Sequence, residues 1–186
     1  MSTIRDEFNL DGQDLQLGIT PIRAIRAWQL RGPRSWNPPM PASLAGLAYS
    51  GFYWTPGENV ADCPYKGGYA PEWMVLPPHT PGGVVKLASG RTSPHQCGMY
   101  AYHAGTVNTF AKGYRNRLLV EGVIEAYGRV TLHSRGLRCE KARIVALVPD
   151  AQLDGESLDV LTARYPVPFY PTLGDALTDF PLERAA

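Results

Sequence analysis

The sequence contains few of the residues that most often bind metals or form cross-links. Its 186 residues include 3 cysteines and 4 histidines. So few cysteines, widely spaced, cannot build the disulfide framework of a small secreted domain. We therefore expect a reduced, cytoplasmic setting.

Long apolar runs and an excess of one charge are also missing. No run reaches the ~18 apolar residues that a membrane-spanning helix requires, and the polar, acidic start MSTIRDEFNLDGQD is not a secretory signal. Lys and Arg number 18 against 17 Asp and Glu, which gives a net charge of +1. This balance argues against general nucleic-acid binding.

A dense pair of β-prone segments occupies residues 118–148. Aliphatic and β-branched residues flank Ser134-Arg135-Gly136, and polar and apolar residues alternate over residues 129–133 and 137–140. Such alternation is typical of strands with one buried face and one wet face. We predict two long antiparallel strands that turn at Arg135-Gly136, where glycine can adopt a positive φ angle. A helix is the competing interpretation of residues 140–148, because Glu, Lys, Ala and Arg favour helices.

The remaining pattern predicts an α+β fold. Residues 1–18 lack periodicity and are expected to form an N-terminal arm, and residues 19–186 a single domain. That domain is predicted to be a bent antiparallel β-sheet or a partly open β-barrel with two or three short helices, the last two covering one side. Further strands are predicted over residues 22–30 (with Trp28 in the core), 43–54, 72–76 and 97–103, a turn over 55–58, and helices over 106–115, 158–165 and 173–180.

Four residues form a candidate structural zinc site: Cys63, His79, His95 and Cys97. His95 and Cys97 are two residues apart, so both side chains would point the same way from an extended strand. Zn²⁺ binds four N or S donors in a tetrahedron, and such a site would order the long loops around it. The competing interpretation is a pair of buried free cysteines with exposed histidines.

A second candidate set lies on and beside the predicted hairpin turn. His103, His133, Arg138 and Glu140 are the weak candidates for catalysis, because they could line a pocket of the sheet. Alternation places Arg138 and Glu140 on one face, where a surface ion pair is the competing interpretation. No nucleophile motif, phosphate-binding glycine loop or metalloprotease motif accompanies them.

The segment Tyr102-His103-Ala104-Gly105-Thr106 resembles the tyrosine-histidine-glycine-threonine signature of ADP-ribosyl transferases. The resemblance implies that His103 would contact the nicotinamide-side ribose. It differs from the signature by the alanine inserted before the glycine. A helix cap, in which the Thr106 hydroxyl accepts from exposed amides, explains the segment equally well.

Aromatic residues are concentrated in the middle of the chain. They could stack on a ring-shaped ligand, but without interleaved Lys or Arg they are more typical of core packing or a protein-binding patch. The residues are Trp36, Tyr49, Phe52, Tyr53, Trp54, Tyr65, Tyr69 and Trp73.

An ordered series of short motifs runs through residues 19–148: Trp54-Thr55-Pro56-Gly57, Cys63, His79-Thr80-Pro81, Cys97-Gly98-Met99-Tyr100-Ala101, and Ala126-Tyr127-Gly128-Arg129-Val130 with His133 and Gly136. The series resembles a family of small actinobacterial and actinophage proteins that has no established activity. In that family a cysteine stands in place of His95 and a tryptophan in place of Tyr127. Cysteine and histidine both bind zinc, so the exchange at His95 is compatible with a ligand position.

Taken together, the sequence favours a non-catalytic binding or regulatory protein that contacts a protein partner through the aromatic-rich loops of residues 54–95. The alternative is an enzyme or small-ligand-binding domain built on the four hairpin residues. A further alternative is a phage structural or accessory protein, whose N-terminal arm would become ordered on assembly.

Overall fold

The computed structural model describes residues 13–16, 21–32, 43–46, 53–61, 84–86, 92–94, 98–103, 119–133 and 135–182. This part of the chain has the predicted α+β fold, with two short helices beside antiparallel strands. The strands are β1 (Gln13–Gln16), β2 (Ile22–Arg31), β3 (Ser43–Gly46), β4 (Asn59–Val60), β5 (Val84–Lys86), β6 (Thr92–Pro94), β7 (Met99–Tyr102), β8 (Leu119–His133) and β9 (Gly136–Pro149), and the helices are α1 (Gly155–Arg164) and α2 (Leu173–Asp179).

The hairpin of β8 and β9 is the longest paired unit. Its register runs from the pair Val120–Pro149 to the pair His133–Gly136, which confirms the predicted hairpin and its turn. Residues 140–148 form a strand and not the competing helix. The alternation decides this, because Ala142 and Ile144 are buried while Arg143 between them is exposed.

The hairpin bends at two irregularities of its register. These lie at Val123/Ile124 and between Tyr127 and Val130. Gly128 lies within the second and has a φ angle of 73°, a conformation that favours glycine. Bulges of this kind increase the local twist and turn the strand. Gly128 therefore lies at a bulge of β8.

The other strands assemble around this bent hairpin. The sheet has the order β1-β8-β2-β7-β9-β4, with β3 on β2 and a separate two-stranded sheet of β5 and β6. Among the described residues, β7 pairs with β9 along its length but with β2 only at Ile25–Tyr102. The sheet is therefore strongly bent. β1, within the predicted N-terminal arm, adds a strand to β8 at residues 129–132.

The inner face of the bend encloses the main core. Trp28 is fully buried, as predicted, and its ring meets that of Trp54 edge to face at 5.3 Å. Tyr165 joins them from the end of α1. Its hydroxyl accepts from the amide of Leu44 and donates to the carbonyl of Trp54, both at 2.9 Å. One phenol thus satisfies two buried backbone groups that lie more than a hundred residues before it in the chain.

The two helices pack on opposite faces of the sheet, so the prediction that both cover one side is wrong. α1 contributes Leu161 to the inner core. α2 buries Ala176 against Val123 and Ala146 on the outer face. Periodicity identifies the buried side of a helix, but it does not identify the face of the sheet that receives it.

Both helices start at the positions expected from their caps. Asp154 accepts a hydrogen bond from the amide of Ser157, and Thr172 accepts one from the amide of Asp175. Neither helix, among the residues described, is long and apolar enough to cross a membrane. Leu158 on α1 is 39% exposed, whereas Leu161 is buried.

Two further predictions need correction or fall outside the described residues. The single strand predicted over residues 43–54 is wrong, because β3 ends at Gly46 and Tyr53 returns to pair antiparallel with Ala45. The strand predicted over 72–76 and the helix predicted over 106–115 lie outside the described residues.

Gly136 is required at the hairpin turn for a reason other than the predicted one. It is not among the glycines with positive φ. A Cβ atom added to it would instead lie 2.0 Å from the carbonyl oxygen of Ala101 on β7. Close approach of two backbones, and not an unusual φ angle, therefore excludes a side chain here.

We expect Tyr165→Phe to lower the free energy of unfolding by about 2 kcal/mol, because it leaves the buried amide of Leu44 without its acceptor. Urea unfolding monitored by circular dichroism measures the change. The matched control is Tyr170→Phe, since the Tyr170 hydroxyl bonds the exposed carboxylate of Asp179. A loss no larger than that of the control would contradict a bridging role for Tyr165.

We expect Gly136→Ala to lower the free energy of unfolding by about 3 kcal/mol, because β7 and β9 must separate to admit the methyl group. Gly57→Ala is the control, as nothing lies within 4 Å of its added Cβ. Denaturant midpoints of the two variants measure the difference. If both variants unfold at the same midpoint, the close approach is not limiting.

Candidate functional site

Three of the four candidate catalytic residues meet near the tip of the hairpin. His103 donates its backbone amide to the carbonyl of Arg135 at 3.2 Å, and its Nε2 lies 3.2 Å from the carbonyl oxygen of His133. Arg138 pairs with Thr131, two residues from His133 on the same face of β8. His133 and Arg138 are both buried, and all three residues take part in further polar, ring or electrostatic contacts.

Glu140, the fourth candidate, has a structural task instead. Its Oε2 accepts a hydrogen bond from the amide of Arg129 at 3.2 Å. The same oxygen would lie 3.0 Å from a Cβ atom added to Gly128. The carboxylate therefore stabilises the backbone at the second bend of the hairpin.

The zinc candidates Cys63, His79, His95 and Cys97 lie outside the described residues, so the zinc site stays a prediction. Within the described ranges, no group of three or more His, Cys, Asp or Glu side chains is placed to hold a metal ion. Cys139 is buried there, and its thiol donates to the carbonyl of Met99 at 3.4 Å. Burial raises the pKa of this thiol to about 12.

Few of the aromatic residues singled out in the sequence lie in the described ranges. Trp54 is fully buried and Tyr53 is partly buried, so Trp54 belongs to the core and not to an exposed patch. Residues 104–106 of the transferase-like motif lie outside the described residues. So do the other aromatic residues: Trp36, Tyr49, Phe52, Tyr65, Tyr69 and Trp73.

The predicted turn after Trp54 is exposed, and the buried side chain of Asn59 holds its backbone in place. Residues 55–58 are all exposed, whereas Asn59 is buried. The Asn59 side chain accepts from the amide of Thr55 at 2.7 Å and donates to the carbonyls of Thr55 and Gly57 at 3.1 and 3.0 Å. The side-chain amide of Asn59 thus satisfies three backbone groups of the turn. These groups belong to Thr55 and Gly57, which lie outside the strands and helices.

A second contact ties the tip of this turn to the hairpin. The Tyr127 hydroxyl donates to Glu58 at 3.0 Å, and the Lys141 ammonium lies 3.7 Å from the same carboxylate. Partial burial and this hydrogen bond raise the pKa of Tyr127 to about 12. The turn is therefore held by groups on both β8 and β9.

The outer face carries a charged row across three strands. Glu125 is buried and opposes Arg23 on β2 and Arg143 on β9. Arg143 binds its carboxylate through two nitrogens, at 2.8 and 2.7 Å, and Arg23 lies at 3.4 Å. Each arginine of this row therefore has a carboxylate partner, which accounts for the burial of Glu125.

Arg26 lies on the inner face and has no such partner among the described residues. Its guanidinium stacks over the ring of Trp54 at 4.8 Å, and its Nη1 donates to the carbonyl of Tyr100. The spacing in the sequence indicates the position of Arg26 on the inner face. Arg23 and Arg26 are three positions apart on one strand, so their side chains must point to opposite faces of the sheet.

Comparison with protein-family models, with curated proteins and with solved structures gave no match.

We expect the free energy of unfolding to fall as the pH rises from 10 to 12, and to fall less in Tyr127→Phe. The folded protein holds the phenolic proton up to a pKa of about 12, against an ordinary value of 10. The stabilisation is therefore complete below pH 10 and is lost as the pH passes through 12.

Urea unfolding at a series of pH values measures this difference. Cys139 titrates in the same range in both proteins, so its contribution cancels in the comparison. Parallel pH profiles for the two proteins would rule out the contribution of Tyr127.

Proposed function

We propose that this chain is a non-catalytic binding protein that contacts a protein partner through the surface around residues 55–60. The observation that carries the proposal is the exposed, internally braced turn of residues 55–58 beside an exposed apolar side chain. Val60 is 49% exposed, although it lies on a strand of the main sheet.

The backbone at Val60 supports this proposal. The amide of Ala61 donates to the carbonyl of Glu140 at 2.7 Å. Because hydrogen-bonding groups alternate along a strand, the N–H and C=O of Val60 point away from β9. β4 is the last strand in the order of the sheet. An outward-facing strand edge of this kind can pair with an extended segment of another protein.

The bracing by Asn59 and Tyr127 also favours binding. Association loses affinity when loops must be ordered at the interface, so a turn that is already fixed loses less. Val60 supplies apolar contact area, and Glu58 with Lys141 supplies a polar rim. This combination is typical of transient protein interfaces.

The hairpin-tip residues support a non-catalytic function. Glu140 is engaged by the amide of Arg129 at the bend, and His103 spans the carbonyls of Arg135 and His133. These contacts explain Glu140 and His103 as parts of the hairpin structure. Catalysis would require them to converge on a shared substrate position.

The test compares proteins captured from the native cell by tagged wild type and by Val60→Lys. The substitution places a charge at the centre of the proposed contact while leaving the core intact, since Val60 is exposed. The matched control is Val160→Lys on α1, where the valine is 37% exposed. We expect a partner to be lost with Val60→Lys and kept with Val160→Lys.

Purified components then provide the quantitative measurement. For an apolar residue central to an interface, we expect Val60→Lys to weaken binding by at least about tenfold, equivalent to ~1.4 kcal/mol. If wild type and both variants capture the same proteins with the same affinity, the surface around residues 55–60 does not bind the partner.

A further inference from the structure

Arg26 is a cation placed on the apolar side of the sheet. Alternation along β2 puts it on the same face as Ala24 and Trp28, which are both fully buried in the inner core. Its charged or polarisable neighbours include Trp54 and the Cys139 thiol on that face and Tyr102 on the outer face. None of these carries a negative charge at neutral pH.

The guanidinium is satisfied on one side only. Nη1 donates to the carbonyl of Tyr100. Nε is shielded from solvent and has no hydrogen-bond partner, and Nη2 makes no hydrogen bond to the described residues. Nε and Nη2 form the edge of the guanidinium whose two N–H groups point in the same direction. That edge is the one that binds an oxyanion through two parallel hydrogen bonds.

A second N–H donor beside Arg26 is also shielded from solvent and without a hydrogen-bond partner in the described part of the chain. It is the indole Nε1 of Trp28, two residues along β2 on the same face. Both side chains contact Trp54, at 4.8 Å for Arg26 and 5.3 Å between ring centroids for Trp28. Arg26 Nε and Trp28 Nε1 are thus neighbouring N–H donors without an acceptor among the described residues, which also offer Arg26 no counter-charge.

Burial lowers the pKa of Arg26 to about 10, so the side chain remains charged at neutral pH. A charge withdrawn from water is destabilising unless an opposite charge accompanies it. The two outer-face arginines, Arg23 and Arg143, share Glu125 in this way. Stacking on Trp54 compensates for only part of the lost hydration of Arg26.

We propose that Arg26, with Trp28 and Trp54 beside it, is a binding site for the oxyanion group of a small ligand, a carboxylate or a phosphate. The oxyanion approaches through Nη2, because Arg26 as a whole is only partly buried. It accepts the two parallel N–H groups and supplies the missing negative charge. The site is distinct from the protein-binding surface around residues 55–60.

The experiment uses the full chain and two simple probes, inorganic phosphate and acetate, each replacing chloride at constant ionic strength. We expect the better probe to raise Tm by about 3 °C at roughly ten times its dissociation constant. The Arg26 Nε–Hε resonance, identified by its loss in Arg26→Met, should shift with the same concentration dependence. A response to phosphate alone or to acetate alone identifies the class of oxyanion.

Arg26→Met separates a ligand site from a structural one. Methionine replaces an uncompensated cation by an apolar chain, so Tm in chloride should rise or stay level while the response to the probe is lost. Arg26→Lys keeps the charge without the planar fork and should weaken the response. Arg23→Met is the matched control, and it should lower Tm and leave the response unchanged.

Two results would overturn the proposal. One is an equal rise of Tm with the probe in wild type and Arg26→Met, together with an unmoved Arg26 resonance. The other is a large fall of Tm for Arg26→Met in chloride with no response of wild type to either probe. The latter would make Arg26 a structural group of the inner core. Neither result bears on the surface around Val60, which is tested by capture.

Discussion

The bend in the β8–β9 hairpin is the constraint on which the rest of the structure depends. A straight hairpin of this length would offer two flat faces, and neither could enclose a core by itself. The two register shifts turn one face of the hairpin inward. At the second shift Gly128 has a positive φ angle and Glu140 accepts from the amide of Arg129. β2 and β7 can then meet at Ile25 and Tyr102 from opposite sides of the hairpin.

The bend gives the two faces different chemistry. The outer face receives α2 and the row of Arg23, Glu125 and Arg143, in which charges are matched. The inner face receives α1, the paired tryptophans and Arg26, whose cation has no carboxylate partner among the described residues. Because Arg23 and Arg26 both lie on β2, the contrast arises within a single strand and between positions three residues apart.

The sequence predicted those parts of the fold that depend on neighbouring residues. Alternation predicted β8 and β9, and the apolar spacing of Leu161 and Tyr165, with Pro166 after them, predicted α1. Local pattern could not show that α1 and α2 pack on different faces, since both faces of β8 are apolar over Val123 and Ile124. It also could not reveal that Gly136 is held by the backbone of Ala101, which comes from another strand.

The candidate sites were predicted less well for a related reason. His103, His133 and Arg138 do lie together, because β7 and the hairpin turn are neighbours in the sheet. The role of Glu140 depends on its contact with the amide of Arg129 across the hairpin, which the sequence pattern does not show. Asn59 and Tyr127 act through partners that the sequence alone does not identify, and Arg26 required the parity of β2 to be applied to a charged residue.

The Tyr165 bridge also has a consequence for synthesis on the ribosome. Its hydroxyl bonds Leu44 and Trp54, which lie 121 and 111 positions earlier in the chain. These contacts of the N-terminal part can form only after most of the polypeptide has been synthesised. Contacts of such long range slow folding. Until the α1 segment leaves the exit tunnel, Tyr165 cannot join Trp28 and Trp54 in the inner core, and these side chains stay exposed to water and to other nascent chains. We expect a chaperone to be needed most during this interval.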